Sequence, residues 1–230
     1  MRWVGEFLIY LVIAVLVVTL VKNFLVQPYQ VPSGSMEQTL QINDYILAWK
    51  PGAPERGEIV VFRDDLDWLG PAPAAPEWKK VLSWVKILPP QNDQYLVKRL
   101  IGLPGDHVTC CNTAGQITVN GKALDESQYE YFSDQAMAQI PFDIVVPQGH
   151  IFVLGDHRDS SEDSRYHMCN GNTPTPQLTF PSIDSIQGKV VAVVKPLKRM
   201  QTFKIPSVFD SVPPPTGTPP DPGTAQWACT

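Results

Sequence analysis

Tyr95-Leu96-Val97-Lys98-Arg99-Leu100-Ile101 decides the fold class of this chain. Read at the strand period of two, Lys98 shares a face with Leu96 and Leu100, and Arg99 falls on the opposite face. Runs of the same kind recur at Tyr45–Trp49, Glu58–Arg63, Ile117–Val119, His150–Leu154 and Lys189–Lys195. They are short, rich in Val, Ile, Phe and Tyr, and bounded by turn residues, which is a strand pattern. Asn120-Gly121 between Ile117-Thr118-Val119 and Lys122-Ala123-Leu124 is a type I′ hairpin signal. The class is therefore mainly β, with an antiparallel-sheet body. The 23 prolines among 230 residues agree, since proline is hard to place in an all-helical protein.

Moving outward, the N-terminal end is different. Phe7 to Val21 carries no charge, and with Lys22 snorkelling the apolar stretch reaches Val26. Twenty residues at helical rise match the ~30 Å hydrocarbon core of a bilayer. A cleaved signal peptide has a shorter apolar stretch and a small-x-small site, whereas Lys22-Asn23-Phe24 follows here. Residues 1–26 are read as a retained transmembrane anchor. The flanking charges, Arg2, Glu6 and Lys22, leave its orientation open. Residues 206–230 hold seven prolines and two charged residues, Asp210 and Asp221, and read as a disordered tail. Between them, residues 27–205 form the β body, with residues 107–149 as a smaller β insertion. Glu77 to Leu88 stands apart: Trp78, Val81, Leu82, Val85 and Leu88 recur at helical spacing, opposite Lys79, Lys80 and Lys86. This basic amphipathic helix is expected either against the sheet or on the lipid interface.

The net charge of -5 argues against a broad nucleic-acid-binding face. Four cysteines are too few for a disulfide scaffold. The mean hydropathy of -0.09 averages over an apolar anchor and a polar body.

Three segments carry chemistry. In Gln27-Pro28-Tyr29-Gln30-Val31-Pro32-Ser33-Gly34-Ser35-Met36, an extended chain puts Tyr29, Val31, Ser33 and Ser35 on one face. Gly34 permits close backbone approach beside Ser35, a candidate nucleophile. A serine nucleophile needs a base. Lys98 among apolar neighbours is expected to lose pKa, because desolvation disfavours its charged form; the alternative is a lysine snorkelling at a strand edge. Gly155-Asp156-His157-Arg158-Asp159-Ser160-Ser161-Glu162-Asp163-Ser164-Arg165 reads as a loop fixed by ion pairs and side-chain turns. Arg158 interrupts any calcium-ligand series there.

These segments resemble the sequence boxes of the bacterial type I signal peptidases. Residues 32–40 resemble the nucleophile box, 44–47 and 57–63 two strand boxes, 98–106 the base box and 155–165 the last box. The resemblance covers most of residues 7–200; it is poor over 64–94 and 107–149, and absent in the tail. It implies a membrane serine endopeptidase that removes signal peptides from exported preproteins, with no metal or cofactor. Ser35 matches the nucleophile and Lys98 the general base. The Ser33 hydroxyl and the Ser35 amide match the oxyanion hole. Ser161 matches the serine that orients the lysine. Asp163 and Arg165 match the supporting ion pair, with Asp156 and Arg158 alongside. Tyr29, Val31, Met36 and Val97 are expected to line the substrate site.

Gln38 stands where the family usually has proline, Asn43 where glycine is common and His157 where asparagine is common. The family topology implies a single-pass protein of the cell membrane with its catalytic domain outside, monomeric, working on preproteins in the bilayer with the secretion machinery as a further partner and no nucleic acid. In that oxidising setting one disulfide is expected between Cys169 and either Cys110 or Cys111, because a bridge between neighbours is strained; free thiols are the alternative. Two rivals stand beside this reading. A self-cleaving Ser-Lys repressor-type protease would lack the anchor. A catalytically inactive membrane-anchored β domain that binds secreted proteins would have lost Ser35, Lys98 or Ser161.

Overall fold

The structure, a computed structural model, describes residues 2–71, 94–133, 140–224, 227 and 229. The helix expected at 77–88 lies outside them. Helix α1 (Arg2–Phe24) is apolar on every side. Its stretch Glu6–Phe24 is long and apolar enough to cross a membrane, and no part of it is buried against the rest of the chain. Leu8, Val12, Val15 and Leu16 are all more than half exposed, so this surface has no protein to cover it. The helix runs almost directly into strand β1 (Val26–Gln30). Lys50 fastens the junction, its backbone N–H donating to the Leu25 carbonyl and its ammonium to the Asn23 carbonyl.

The body is an antiparallel sheet. Its strands are β1, β2 (Tyr45–Trp49), β3 (Ile59–Arg63) and β4 (Tyr95–Gly102), with three more from later in the chain. A second sheet intervenes in sequence: β5 (His107–Cys110), β6 (Thr118–Val119), β7 (Lys122–Ala123) and β8 (Phe142–Val145), in the order β7-β6-β5-β8. The hairpin between β6 and β7 turns at Asn120 (φ 50°) and Gly121 (φ 78°), the two left-handed residues a type I′ turn requires. The chain returns to the main sheet in β9 (Phe152–Leu154). A two-stranded ribbon follows, β10 (Cys169–Asn170) and β11 (Thr173–Pro174), then a single helical turn at Pro176–Thr179. Strand β12 (Ile186–Lys195) and the short β13 (Gln201–Thr202) complete the sheet.

The main order is β1-β2-β12-β3-β4-β9, with β13 paired to β12. Among the described residues, strand β12 is thus the sheet link between β1-β2 and β3-β4-β9. It pairs with β2 on one side and β3 on the other, through irregular registers that bend it. Strand β4 lies between β3 and β9, and its last six residues are buried. One apolar core, which includes Ile101, Val108, Ile144 and Phe152, joins the two sheets.

The segment after residue 205, expected as disordered, is packed onto the body. Ser207–Ser211 forms a 3-10 turn, and Phe209 is buried, stacked 6.3 Å from the Tyr129 ring. The Pro213 and Pro220 carbonyls accept from Asn120 Nδ2 and the Gln148 amide. Trp227 meets Phe180 edge-on at 5.8 Å, and its indole N–H donates to the Met168 carbonyl. The proline count concealed four well-placed apolar side chains, Val208, Phe209, Val212 and Trp227, that complete this core. The disulfides also differ from expectation: Cys110 pairs with its neighbour Cys111, and Cys169 pairs with Cys229. Packing of the tail onto the body brings Cys229 to Cys169, with their Cα atoms 6.0 Å apart.

Phe209 fills the space above Gly57, so its removal leaves a cavity. Phe209→Ala is expected to destabilise the detergent-solubilised chain by about 3 kcal/mol, measured by urea unfolding. A loss below about 1 kcal/mol would show that the tail adds little to the core.

Candidate active site

The turn carrying Ser35 is built by backbone bonds. Strand β1 ends at Gln30, and Val31 is held by exchange with the loop before β2: its N–H donates to the Asp44 carbonyl and its carbonyl accepts from Asn43. The chain then coils, with Glu37 N–H donating to the Gly34 carbonyl and Leu40 N–H to the Met36 carbonyl. A Cβ at Gly34 would sit 2.8 Å from Glu37 Oε1, so any side chain there requires the Glu37 carboxylate to move. This coil corrects the expected extended face. Tyr29 and Val31 are buried, Ser33 is exposed and Ser35 is buried at 9% exposure, so alternation stops where the strand stops. Two of the unusual residues adopt left-handed backbone: Gln38 (φ 79°) and Asn43 (φ 70°). Proline cannot reach that φ, so the turn at Gln38 differs from one that proline would form. Asn43 tolerates a conformation for which glycine is the default.

Lys98 sits in the middle of β4, opposite Val60 of β3, with 2% of its surface exposed. It shares its face with Leu96 and Leu100, as the alternation predicts, and the central position of β4 removes the edge-snorkelling reading. Its Nζ donates to Ser161 Oγ at 3.0 Å. Burial, the largest influence, pulls the amine down from 10.5 to about 8; the Asp163 carboxylate opposes this and the Arg165 guanidinium adds to it.

Ser161 belongs to the loop after β9. Gly155 N–H donates to Asp163 Oδ2 at 3.0 Å, and the Arg165 guanidinium holds both Asp163 oxygens at 3.0 and 2.7 Å. Burial raises the Asp163 pKa, but Arg165 and Lys98 outweigh it and the carboxyl lies below its usual range. Gly155 is the point of convergence. A Cβ there would strike both the Ser161 hydroxyl and the Ser35 carbonyl oxygen, so the loop bonded to Lys98 and the turn carrying Ser35 meet across it.

Asp156 and Arg158 face other partners than each other. Asp156 takes a bidentate pair from Arg99 at 2.8 and 2.6 Å and a 2.5 Å bond from the Thr39 hydroxyl. Arg158 is buried against Glu126 at 2.6 Å and Glu130 at 2.7 Å. Burial works against its charge, but Glu126 and Glu130 raise its pKa overall. Arg99, Thr39, Glu126 and Glu130 were not foreseen, because nothing local ties residues 28 to 117 positions away from their partners. Of the histidines, His157 touches the Ser35 turn, and His167 stacks on Trp68 at 4.5 Å with its pKa lowered by burial.

Tyr29, Val31, Met36 and Val97 are packed in one apolar cluster beneath the Ser35 turn, each no more than 9% exposed. Among the described residues no group of three or more His, Cys, Asp or Glu is placed to hold a metal ion.

The family described as "Signal peptidase, peptidase S26" matches residues 4–195. The chain is similar to a signal peptidase I of Mycobacterium tuberculosis, 31% identical over 220 residues, covering 84% of this chain and 73% of the relative. A probable signal peptidase I of Mycobacterium leprae is 32% identical over 228 residues, covering 84% and 77%. A solved signal peptidase I from Enterococcus faecalis V583 aligns over 60% of this chain and 97% of its own, at 25% identity and a TM-score of 0.36.

A lysine whose pKa falls on folding carries a folding cost. That cost is full below about pH 8 and fades as pH rises toward 10.5. Lys98→Met is therefore expected to raise Tm near pH 7, by an equivalent of up to about 3 kcal/mol, with the gain shrinking above pH 8. A gain that ignores pH would overturn desolvation as its origin.

Proposed function

Since the chain belongs to the signal peptidase family, peptidase S26, we propose that it is a membrane-bound serine endopeptidase that cleaves signal peptides from exported preproteins after small-x-small motifs, with Ser35 as nucleophile and Lys98 as general base. The observation that carries this reading is the Lys98 amine. It is buried, its pKa lies near 8, and it is oriented by Ser161 at 3.0 Å, in a segment that meets the Ser35 turn at Gly155.

In this mechanism neutral Lys98 Nζ takes the proton from Ser35 Oγ as Oγ bonds to the scissile carbonyl carbon. The Ser33 hydroxyl and the Ser35 N–H hold the resulting oxyanion, and one such donor is typically worth ~10²–10³ in kcat. The C–N bond breaks as Lys98 hands its proton to the leaving amine. Water, deprotonated by Lys98, then releases the acyl group. The Asp163–Arg165 pair keeps Ser161 in place, so the amine donates to a neutral hydroxyl rather than being drawn into a carboxylate pair.

The substrate lies extended beside β1, the edge strand of the sheet. Tyr29, Val31, Met36 and Val97, one buried apolar cluster, floor that position in this reading, which takes small P1 and P3 side chains. Helix α1 anchors the enzyme in the membrane, with the sheet on the extracytoplasmic side, where precursors emerge. The reading includes no metal or cofactor, and has the chain act as a monomer with preproteins, the bilayer and the secretion machinery as partners.

Ser35→Ala and Lys98→Ala are each expected to abolish cleavage of an Ala-x-Ala preprotein in detergent. Lys98→Arg is expected to do the same, because guanidinium stays charged at neutral pH. Ser161→Ala should retain activity, lowered about 10- to 100-fold. Substantial turnover by either alanine variant at Ser35 or Lys98 would overturn the dyad.

The base must be neutral to act, so kcat/KM is expected to rise with pH through about 8. A profile already flat from pH 6 upward would place another group in that role.

A further inference from the structure

The loop that orients Lys98 also grips the turn that carries Ser35, and the gripping residue is a histidine. The His157 backbone N–H donates to the Ser35 carbonyl at 3.1 Å. Its ring Nδ1 lies 3.2 Å from the Gly34 carbonyl oxygen and 3.4 Å from Glu37 Oε2. Its Nε2 lies 3.2 Å from Asp159 Oδ1, yet the geometry there makes no hydrogen bond, and the nitrogen is buried. The ring is tilted against Tyr131 at 4.7 Å, and the two backbones are bridged. Only 7% of the side chain is exposed, so the imidazole is a fixed part of the site.

We propose that His157 is a positioning residue for Ser35, whose ring clasps the Gly34–Glu37 turn against the loop that bears Ser161. This inference rests on Ser35 being the nucleophile. With its proton on Nδ1 the ring donates to the Gly34 carbonyl, beside the backbone bond from His157 N–H to the Ser35 carbonyl, so two contacts from one residue hold the turn. The groups facing the ring are Glu37 from the nucleophile turn, Asp159 from its own loop and Tyr131 from the segment after β7. Its chain neighbours are engaged elsewhere, Asp156 by Arg99 and Arg158 by Glu126.

The consequence is that the loop that orients Lys98 also fixes the turn that presents Ser35, so loss of the ring contact should lower turnover rather than substrate affinity.

The test uses the full chain in detergent with an Ala-x-Ala preprotein, at intervals between about pH 5 and 9. His157→Ala is expected to lower kcat about tenfold, the rate equivalent of one lost positioning contact, with KM changed less than twofold. His157→Asn is expected to recover part of that loss, because its amide can donate to the Gly34 carbonyl. His150→Asn, at a half-buried site whose ring bonds only to the Gln148 carbonyl among the described contacts, is the control and should leave the profile unaltered. Melting curves at each pH separate loss of fold from loss of rate. An alanine loss that falls on KM rather than kcat, no recovery in His157→Asn, or a loss fully matched by unfolding would overturn the inference while leaving the dyad intact. A wild-type chain that cleaves nothing would instead overturn the function and the inference together.

Discussion

One amine held out of water organises this protein. Lys98 is placed where β3 and β9 flank it and apolar layers cover β4, so its charged form loses hydration. Such a group survives only if its surroundings are arranged around it. The strongest nearby anion, Asp163, is already held at both oxygens by Arg165, which limits how far it can draw the amine back to the charged state. Ser161 offers a neutral hydroxyl instead. The loop from Gly155 to Arg165 is thus more than a support for one serine. It sets the electrostatic balance in which a lysine can titrate near pH 8.

The neighbouring cation shows the contrast. Arg99 points to the other face of β4, is as buried as Lys98, and is fully paired with Asp156 and stacked on Tyr129 at 4.0 Å. Guanidinium keeps its charge and offers a planar fork, so it serves as a fixed strut; an ammonium shifts its pKa on burial and so can serve as a base. Through Asp156, that strut also reaches Thr39 and the end of the nucleophile turn. Two consecutive residues on one strand therefore reach the two segments that meet at Gly155, one from each side of the sheet.

Much of this was legible from short-range pattern. The alternation at 95–101 placed Lys98 and Arg99 on opposite faces, and Asn120-Gly121 marked the hairpin, because both depend on residues a few positions apart. The apolar N-terminal helix was legible from composition alone. What escaped was long-range or sparse. Asp156 finds Arg99 across 57 positions, and no period encodes that. The tail failed the compositional test because its mean is polar, yet a few side chains such as Phe209 and Trp227 are enough to seat it. The extended reading of residues 29–35 failed because backbone bonds at Gly34 and Met36 close a coil that alternation does not foresee.

The position of β12 has a consequence in time. Ser35 lies in the connection between β1 and β2 and Lys98 lies in β3-β4-β9, and among the described residues the strand that joins those halves into one sheet is spelled out at residues 186–195. As the chain is synthesised, both side chains exist long before that element. Until β12 inserts, β2 and β3 have unmatched inner edges, and a domain generally folds as a unit. The sheet that fixes the two halves in register is therefore completed late, by the strand that makes one sheet of two.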